Sequence, residues 1–251
     1  MHIAVVGKGG VGKSVVAATL ARLLARRGLR VLALDSDTMP GLTFSLGVEA
    51  PAEPPLQAAA ERNEQGRWRT RKGIGAVRAV ERYATPAPDG VLLLQSGKTT
   101  PEGIAPVLGS VNVFYDVIHR LGRAPRFRDW AIVGDLSAGP RQSAFRWAPY
   151  ADTFLVLAEP SWKSALTARR IARIASSLSA DRVLLVANKV ERVLDAEEIG
   201  RRVGAPVFAS IPADAAVADA ERLGVPVLDH APASAAVRVI ESLAERLSSA
   251  S

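Results

Sequence analysis

This sequence predicts an α/β fold in which helices cover both faces of a mostly parallel central sheet. Three observations predict it. Short apolar runs that read as buried strands recur along the whole chain, and several are separated by stretches of helical periodicity. Within the runs hydrophobicity is nearly continuous, as in parallel strands covered on both sides. The first run passes through a glycine-rich loop directly into a helical run, a strand–loop–helix unit.

Taken in order, the strand-like runs are residues 2–6, 29–34, 91–94, 130–133, 153–157, 183–187 and 207–210. The first helix is predicted over 15–27, with Gly28 placed as the left-handed residue that ends it. Segment 51–75, rich in Pro, Glu, Gln and Arg, breaks the rhythm and reads as a surface excursion with a helix near 56–62. Its basic stretch R-W-R-T-R-K (67–72) reads as a solvated loop with Trp68 packed down, in preference to a grip on a nucleic-acid backbone. Arg120, Arg123, Arg126 and Arg128 are read the same way. Phe114, Val117, Ile118 and Leu121 share one helical face, as do Ile171, Ile174, Ala175 and Leu178. Asp195 and Glu198 have capping-box spacing for a helix over 196–203. Val237, Ile240, Leu243 and Leu247 line one face of a run over 233–247 whose charges are mixed, so it is expected to pack on the body and not on lipid. No linker divides the chain, and residues 1–251 are expected to form a single domain.

The 251 residues are 48% hydrophobic and 23% charged, enough to bury a substantial core. No apolar run reaches the length of a membrane span, and the chain begins directly in its first strand, leaving no room for a leader. With no cysteine there is neither a disulfide framework nor a thiolate metal site. A soluble, cytoplasmic protein is expected. The net charge of +7 comes mostly from arginine; a polyanionic partner, attraction of a triphosphate and arginine-rich composition would each produce it.

Residues Gly7 to Ser14 read G-K-G-G-V-G-K-S. Gly7, Gly9, Gly10 and Gly12 let the backbone turn tightly and aim its N–H groups at an anion, and the helix N-terminus adds its positive dipole end. Lys13 would reach the β- and γ-phosphates, and the Ser14 hydroxyl would join a Mg²⁺ shell. With Val11 and Val15 the segment forms a nucleotide cradle, which makes the predicted architecture a three-layer P-loop NTPase. L-D-S-D-T (34–38) places Asp35 and Asp37 at the carboxyl end of the second strand, within approach of that loop. W-A-I-V-G-D-L-S-A-G (130–139) ends another strand in Asp135, with Gly139 four residues on.

An ordinary Walker A motif needs only Lys13; here Lys8 follows the first glycine. The loop thereby resembles the deviant Walker A loop of the ParA/MinD superfamily of P-loop ATPases. In that family the early lysine reaches across a dimer interface to the partner's nucleotide, a role that falls on Lys8 and implies a homodimer when ATP is bound. The resemblance gives Asp37, the second acid of D-x-D, the tasks of positioning the attacking water and helping to hold the Mg²⁺ water shell, and leaves Asp35 structural. The catalytic set it implies is Lys8, Lys13 and Asp37, and the Mg²⁺ set Ser14, Asp37 and Asp135. Gly139 would let its loop sense the γ-phosphate. Where relatives continue after the D-x-D with Pro and an amide or acid, this chain has Thr38, Met39 and Pro40.

In the same family an Asn contacts the adenine amino group, and Asn188 takes that place. GTP-binding relatives carry N-K-x-D; N-K-V-E here puts the longer Glu191 at the position that reads guanine, which favours ATP. I-P-A-D (211–214) resembles a segment closing over the base and adds Pro212 and Asp214. E-P-S-W-K-S-A-L-T-A-R-R-I (159–171) resembles the strand-to-helix passage of the branch containing carbon monoxide dehydrogenase maturation ATPases. The similarity spans residues 1–247 and is weakest over 48–112. Those factors bind nickel through a cysteine pair, which this chain lacks; His2, His119 and His230 are scattered and read as packed or surface residues.

The expectation is a Mg²⁺-dependent, ATP-hydrolysing dimer switch that assists assembly or maturation of an unidentified protein client. The alternative is a ParA/MinD-type spatial organiser acting on DNA, with steep salt dependence, or on a membrane surface. A P-loop kinase or ligase would need a second substrate pocket, and none is legible.

Overall fold

The computed structural model describes residues 1–99, 103–140, 148–177 and 181–249. In chain order the strands are β1 (His2–Gly7), β2 (Val31–Asp35), β3 (Ala60–Arg62), β4 (Trp68–Thr70) and β5 (Thr85–Pro86), followed by β6 (Leu92–Gln95), β7 (Ala131–Asp135), β8 (Thr153–Ala158), β9 (Arg182–Val190) and β10 (Val207–Pro212). The helices are α1 (Lys13–Arg26), α2 (Gly41–Ser45), α3 (Ala76–Tyr83), α4 (Leu108–Leu121) and α5 (Trp162–Ser177), then α6 (Val193–Val203), α7 (Ala215–Leu223), α8 (Val227–His230) and α9 (Ala235–Ser249). Among the described residues eight strands form one sheet in the order β10-β9-β8-β1-β7-β2-β6-β5, parallel throughout except for β5 against β6.

Alternation along each strand builds two cores. Ile3 and Val5 of β1 pack toward α1, α2, α7, α8 and α9, while Ala4 and Val6 pack toward α3, α4, α5 and α6. The three-layer α/β class read from the sequence is the architecture found. Gly28 ends α1 as predicted: it has φ +87°, its N–H donates to Ala25 O at 2.9 Å, and Leu29 N–H donates back to Leu24 O at 3.3 Å. Val237, Ile240, Leu243 and Leu247 of α9 are all buried. Each such side chain is worth about 1.5–3 kcal/mol when buried, so this face of α9 belongs to the core.

Two local expectations are corrected and one unread strand is added. Residues 56–62 are not a helix: Pro55–Ala59 is a 3₁₀ turn leading into β3, which pairs antiparallel with β4. Leu56 and Ala59 are fully buried beneath the α4 layer, so the composition of the segment concealed a packed edge. Asp195 is not an N-cap. The helix starts at Val193, and the Asp195 carboxylate reaches back from the third helical position to the N–H of Arg192 at 2.9 Å. Glu198 instead pairs with Arg201 and Arg202. Finally, β5 was missed. A Pro88–Gly90 turn with positive φ at Asp89 and Gly90 folds it onto β6, the turn chemistry of an Asp-Gly hairpin. Leu178 lies outside the described residues.

Candidate nucleotide-binding site

Every residue singled out for chemistry sits at the carboxyl edge of the sheet, beside the point where the chain leaves β1 toward β2 on one side and β8 toward β9 and β10 on the other. The loop between β1 and α1 is shaped by contacts that a side chain would destroy. A Cβ at Gly12, which has φ +90°, would meet Asn188 Nδ2 at 2.5 Å, and one at Gly7 would meet Leu157 O at 2.8 Å. The first bond into the helix is Val16 N–H to Gly12 O at 3.1 Å, so the N–H groups of Lys13, Ser14 and Val15 precede the ladder and face the loop. Lys13 is buried, and its Nζ donates to Lys8 O at 3.4 Å, so its charge is held inside the bowl. Gly139 N–H donates to Gly7 O at 3.0 Å, fastening the segment after β7 to the same loop.

Two carboxylates lie opposite each other in register, Asp35 on β2 and Asp135 on β7. Asp35 is fully buried and accepts from Thr43 N at 2.9 Å and Thr43 Oγ1 at 2.8 Å. Burial, followed by the Asp135 charge, pushes it up to about 7, against the opposing Thr43 and Asp37 hydrogen bonds. Its work is structural, as read: it anchors α2 beneath the loop. Asp135 accepts from Ser14 Oγ at 2.5 Å. Burial pushes it up to about 6 although the Ser14 bond and the Lys13 charge hold it down. Its other oxygen, Oδ1, is buried without a hydrogen-bond partner among the described residues. An orphaned carboxylate oxygen beside a serine hydroxyl, at the mouth of an anion cradle, fits a hydrated Mg²⁺ held by Ser14 and Asp135. Asp37 is half-buried and close enough for its charge to raise Asp135; its Oδ1 accepts from Met39 N at 3.0 Å.

On the other side of the loop, Asn188 Nδ2 donates to Val11 O at 2.7 Å and Lys189 Nζ to Gly10 O at 2.7 Å. Lys189 adopts φ 58°, a left-handed turn that delivers its amine to the loop. Lys8 Nζ donates to Glu159 Oε1 at 3.0 Å in the same chain, and Lys189 lies 4.0 Å from the other oxygen of that carboxylate. Sequence reasoning missed Glu159 and Thr43. Glu159 carried a signal, being the first residue beyond β8; Thr43 carried none.

Pro212 ends β10 beside Val190. Asp214, two residues further on, caps two helices. Its Oδ1 accepts from Ala216 N at 3.0 Å and its Oδ2 from Ala236 N at 2.9 Å, tying the starts of α7 and α9 together. The Ala236 bond and then the Ala216 bond, outweighing burial, hold its carboxyl below the ordinary range. Asp214→Ala is expected to lower stability by about 2 kcal/mol in denaturant unfolding.

Fold and loop together define a P-loop nucleotide-binding protein. Residues 3–227 match the family model of the CobQ/CobB/MinD/ParA nucleotide binding domain, and the chain belongs to that family. An ATP-binding protein of uncharacterised role from Methanocaldococcus jannaschii is 30% identical over 235 residues, covering 88% of each chain. The carbon monoxide dehydrogenase accessory protein CooC of Rhodospirillum rubrum is 28% identical over 234 residues, covering 88% of this chain and 87% of that one. Among solved structures, the septum site-determining protein MinD of Pyrococcus horikoshii, complexed with Mg-ADP, has the same fold. Its TM-score is 0.72 at 20% identity, covering 98% of this chain and 95% of that one. Membership of the ParA/MinD superfamily, expected from the loop, is thus established.

Proposed function

We propose that this chain is a Mg²⁺-dependent ATPase whose ATP-bound form is a homodimer, and that it assists assembly or maturation of a client enzyme. The observation that carries the ATPase reading is the corner formed by Ser14 and Asp135, with its orphaned Oδ1, beside the Lys13 cradle. Mg-ADP in the Pyrococcus horikoshii MinD structure supports the same ligand pair here. When bound, Mg²⁺ would neutralise charge between the β- and γ-phosphates.

The remaining work belongs to the chain. The N–H groups at Gly9, Gly10, Gly12, Lys13, Ser14 and Val15 surround the phosphates, Lys13 clamps them, and Asp37 orients the attacking water. Asn188 commits its Nδ2 to the loop and leaves its carbonyl oxygen to accept from an adenine amino group. Lys8 leaves Glu159 to reach the partner's triphosphate. Similarity to a carbon monoxide dehydrogenase accessory protein supports the client-assisting role, and with no cysteine in the chain that role does not run through thiolate-bound nickel.

Lys8→Ala tests the dimer assignment. The variant should retain ATP binding by calorimetry, while the ATP-dependent shift from monomer to dimer in light scattering disappears. A Lys8→Ala protein that still dimerises with ATP would remove Lys8 from the partner's site.

A further inference from the structure

A trough of about 540 Å³ lies away from the phosphate loop, between β4 with its following turn and one face of α4. Residues Asn112, Tyr115, Asp116, His119 and Arg120 recur at helical spacing along one wall. Arg69, Arg71 and Lys72 rise from the other. At the rims Asn112, His119, Arg120, Arg69, Arg71 and Lys72 are exposed, while lower in the trough Trp68, Thr70, Tyr115 and Asp116 are half-buried. Four permanent cations (Arg69, Arg71, Lys72 and Arg120) therefore face a single lining carboxylate, Asp116, which already accepts from Thr70 Oγ1 at 2.5 Å and Arg120 Nη2 at 2.7 Å. Arg69 is tied to Glu61 at 2.8 Å, but among the described residues neither Arg71 nor Lys72 has a carboxylate partner.

We propose that this trough docks an acidic peptide segment of a partner protein, whose carboxylates pair with Arg71 and Lys72 above the Trp68–Thr70 floor. Three features favour a peptide. A single-stranded nucleic acid would need open ring faces for stacking, but Arg62 covers Trp68 at 4.6 Å to the ring centroid, and Trp68 and Tyr115 pack against the core. Duplex DNA needs cations on a projecting surface to follow its backbone, whereas these cations flank a recess. Arg guanidinium groups match the planar carboxylate in a forked geometry, and Asn112 and Thr70 offer polar groups suited to a peptide backbone. The docking surface deepens the client-assisting reading, yet its binding is measurable without nucleotide.

The test uses the full chain and a fluorescein-labelled deca-glutamate peptide in anisotropy titrations at low salt. Arg71→Glu/Lys72→Glu should weaken binding at least tenfold, whereas Arg123→Glu/Arg128→Glu, the same charge change on the second basic cluster, should alter it less than twofold. Ten-residue oligothymidylate should compete more weakly than unlabelled deca-glutamate. Equal losses in both double variants would reduce the signal to overall charge and overturn the proposal, as would unchanged binding in the first. Stronger competition by the oligonucleotide would make the trough a nucleic-acid site and overturn it equally. Basal ATP turnover of Arg71→Glu/Lys72→Glu should match the parent. Loss of peptide binding with turnover intact separates this surface from the ATPase, while a parent chain that lacks turnover yet binds the peptide would count against the ATPase reading alone.

Discussion

Lys13→Met is expected to abolish nucleotide turnover, by about 1,000-fold, without weakening the empty fold. The second half of that statement follows from the geometry. Lys13 is buried with one long hydrogen bond, 3.4 Å to Lys8 O, and no ion pair among the described residues, and the Asp135 carboxylate that feels its charge keeps its own bond to Ser14. Methionine matches its length and removes that charge, so the melting temperature without ligand should hold or rise. With Mg-ATP the order reverses. The parent should gain stability as ligand saturates it, by about 2.7 kcal/mol at a hundredfold excess over Kd, and the variant should gain little. Differential scanning fluorimetry with and without Mg-ATP, read beside phosphate release, separates the two effects. Lys13→Met with near-parental turnover would remove Lys13 from the site, and a large fall in apo stability would show that the amine is structural.

The sheet and the loop were legible because their signals are dense and local. Strands buried on both faces give uninterrupted apolar runs, and the glycines of G-K-G-G-V-G-K-S mark the places where Asn188 and Leu157 press on the backbone. The strand-terminal acids were legible from position, since a parallel sheet sends the ends of β2 and β7 to one edge. What could not be read were side-chain pairings that only the fold brings about. Thr43 holding Asp35, Glu159 holding Lys8 and Asp214 holding two helix starts each join residues through the fold, without a shared pattern. Segment 51–75 misled for a related reason: its polar composition conceals Leu56 and Ala59, which are buried only because α4 returns over them.

Asp37→Ala is expected to stop hydrolysis, by about 100- to 1,000-fold, while ATP binding persists and the ATP-bound dimer becomes long-lived. Asp37 differs from its neighbours at the sheet edge in having work still to do. Asp35 is fully buried and held by Thr43, and Asp135 is bonded to Ser14, whereas Asp37 is half-buried and gives one oxygen to a local turn at Met39 N. The carboxylate therefore stands at the mouth of the site, where a water could be oriented. Its removal also takes away a charge that raises Asp135, so that group ionises more readily while its bond to Ser14 stays in place. Binding and turnover are thus expected to part company, which loss of folding would not produce. Light scattering after ATP addition, followed over several parental turnover times, reads the first effect and phosphate release the second. If Asp37→Ala stays monomeric with ATP, or hydrolyses at the parental rate, water positioning passes to another group.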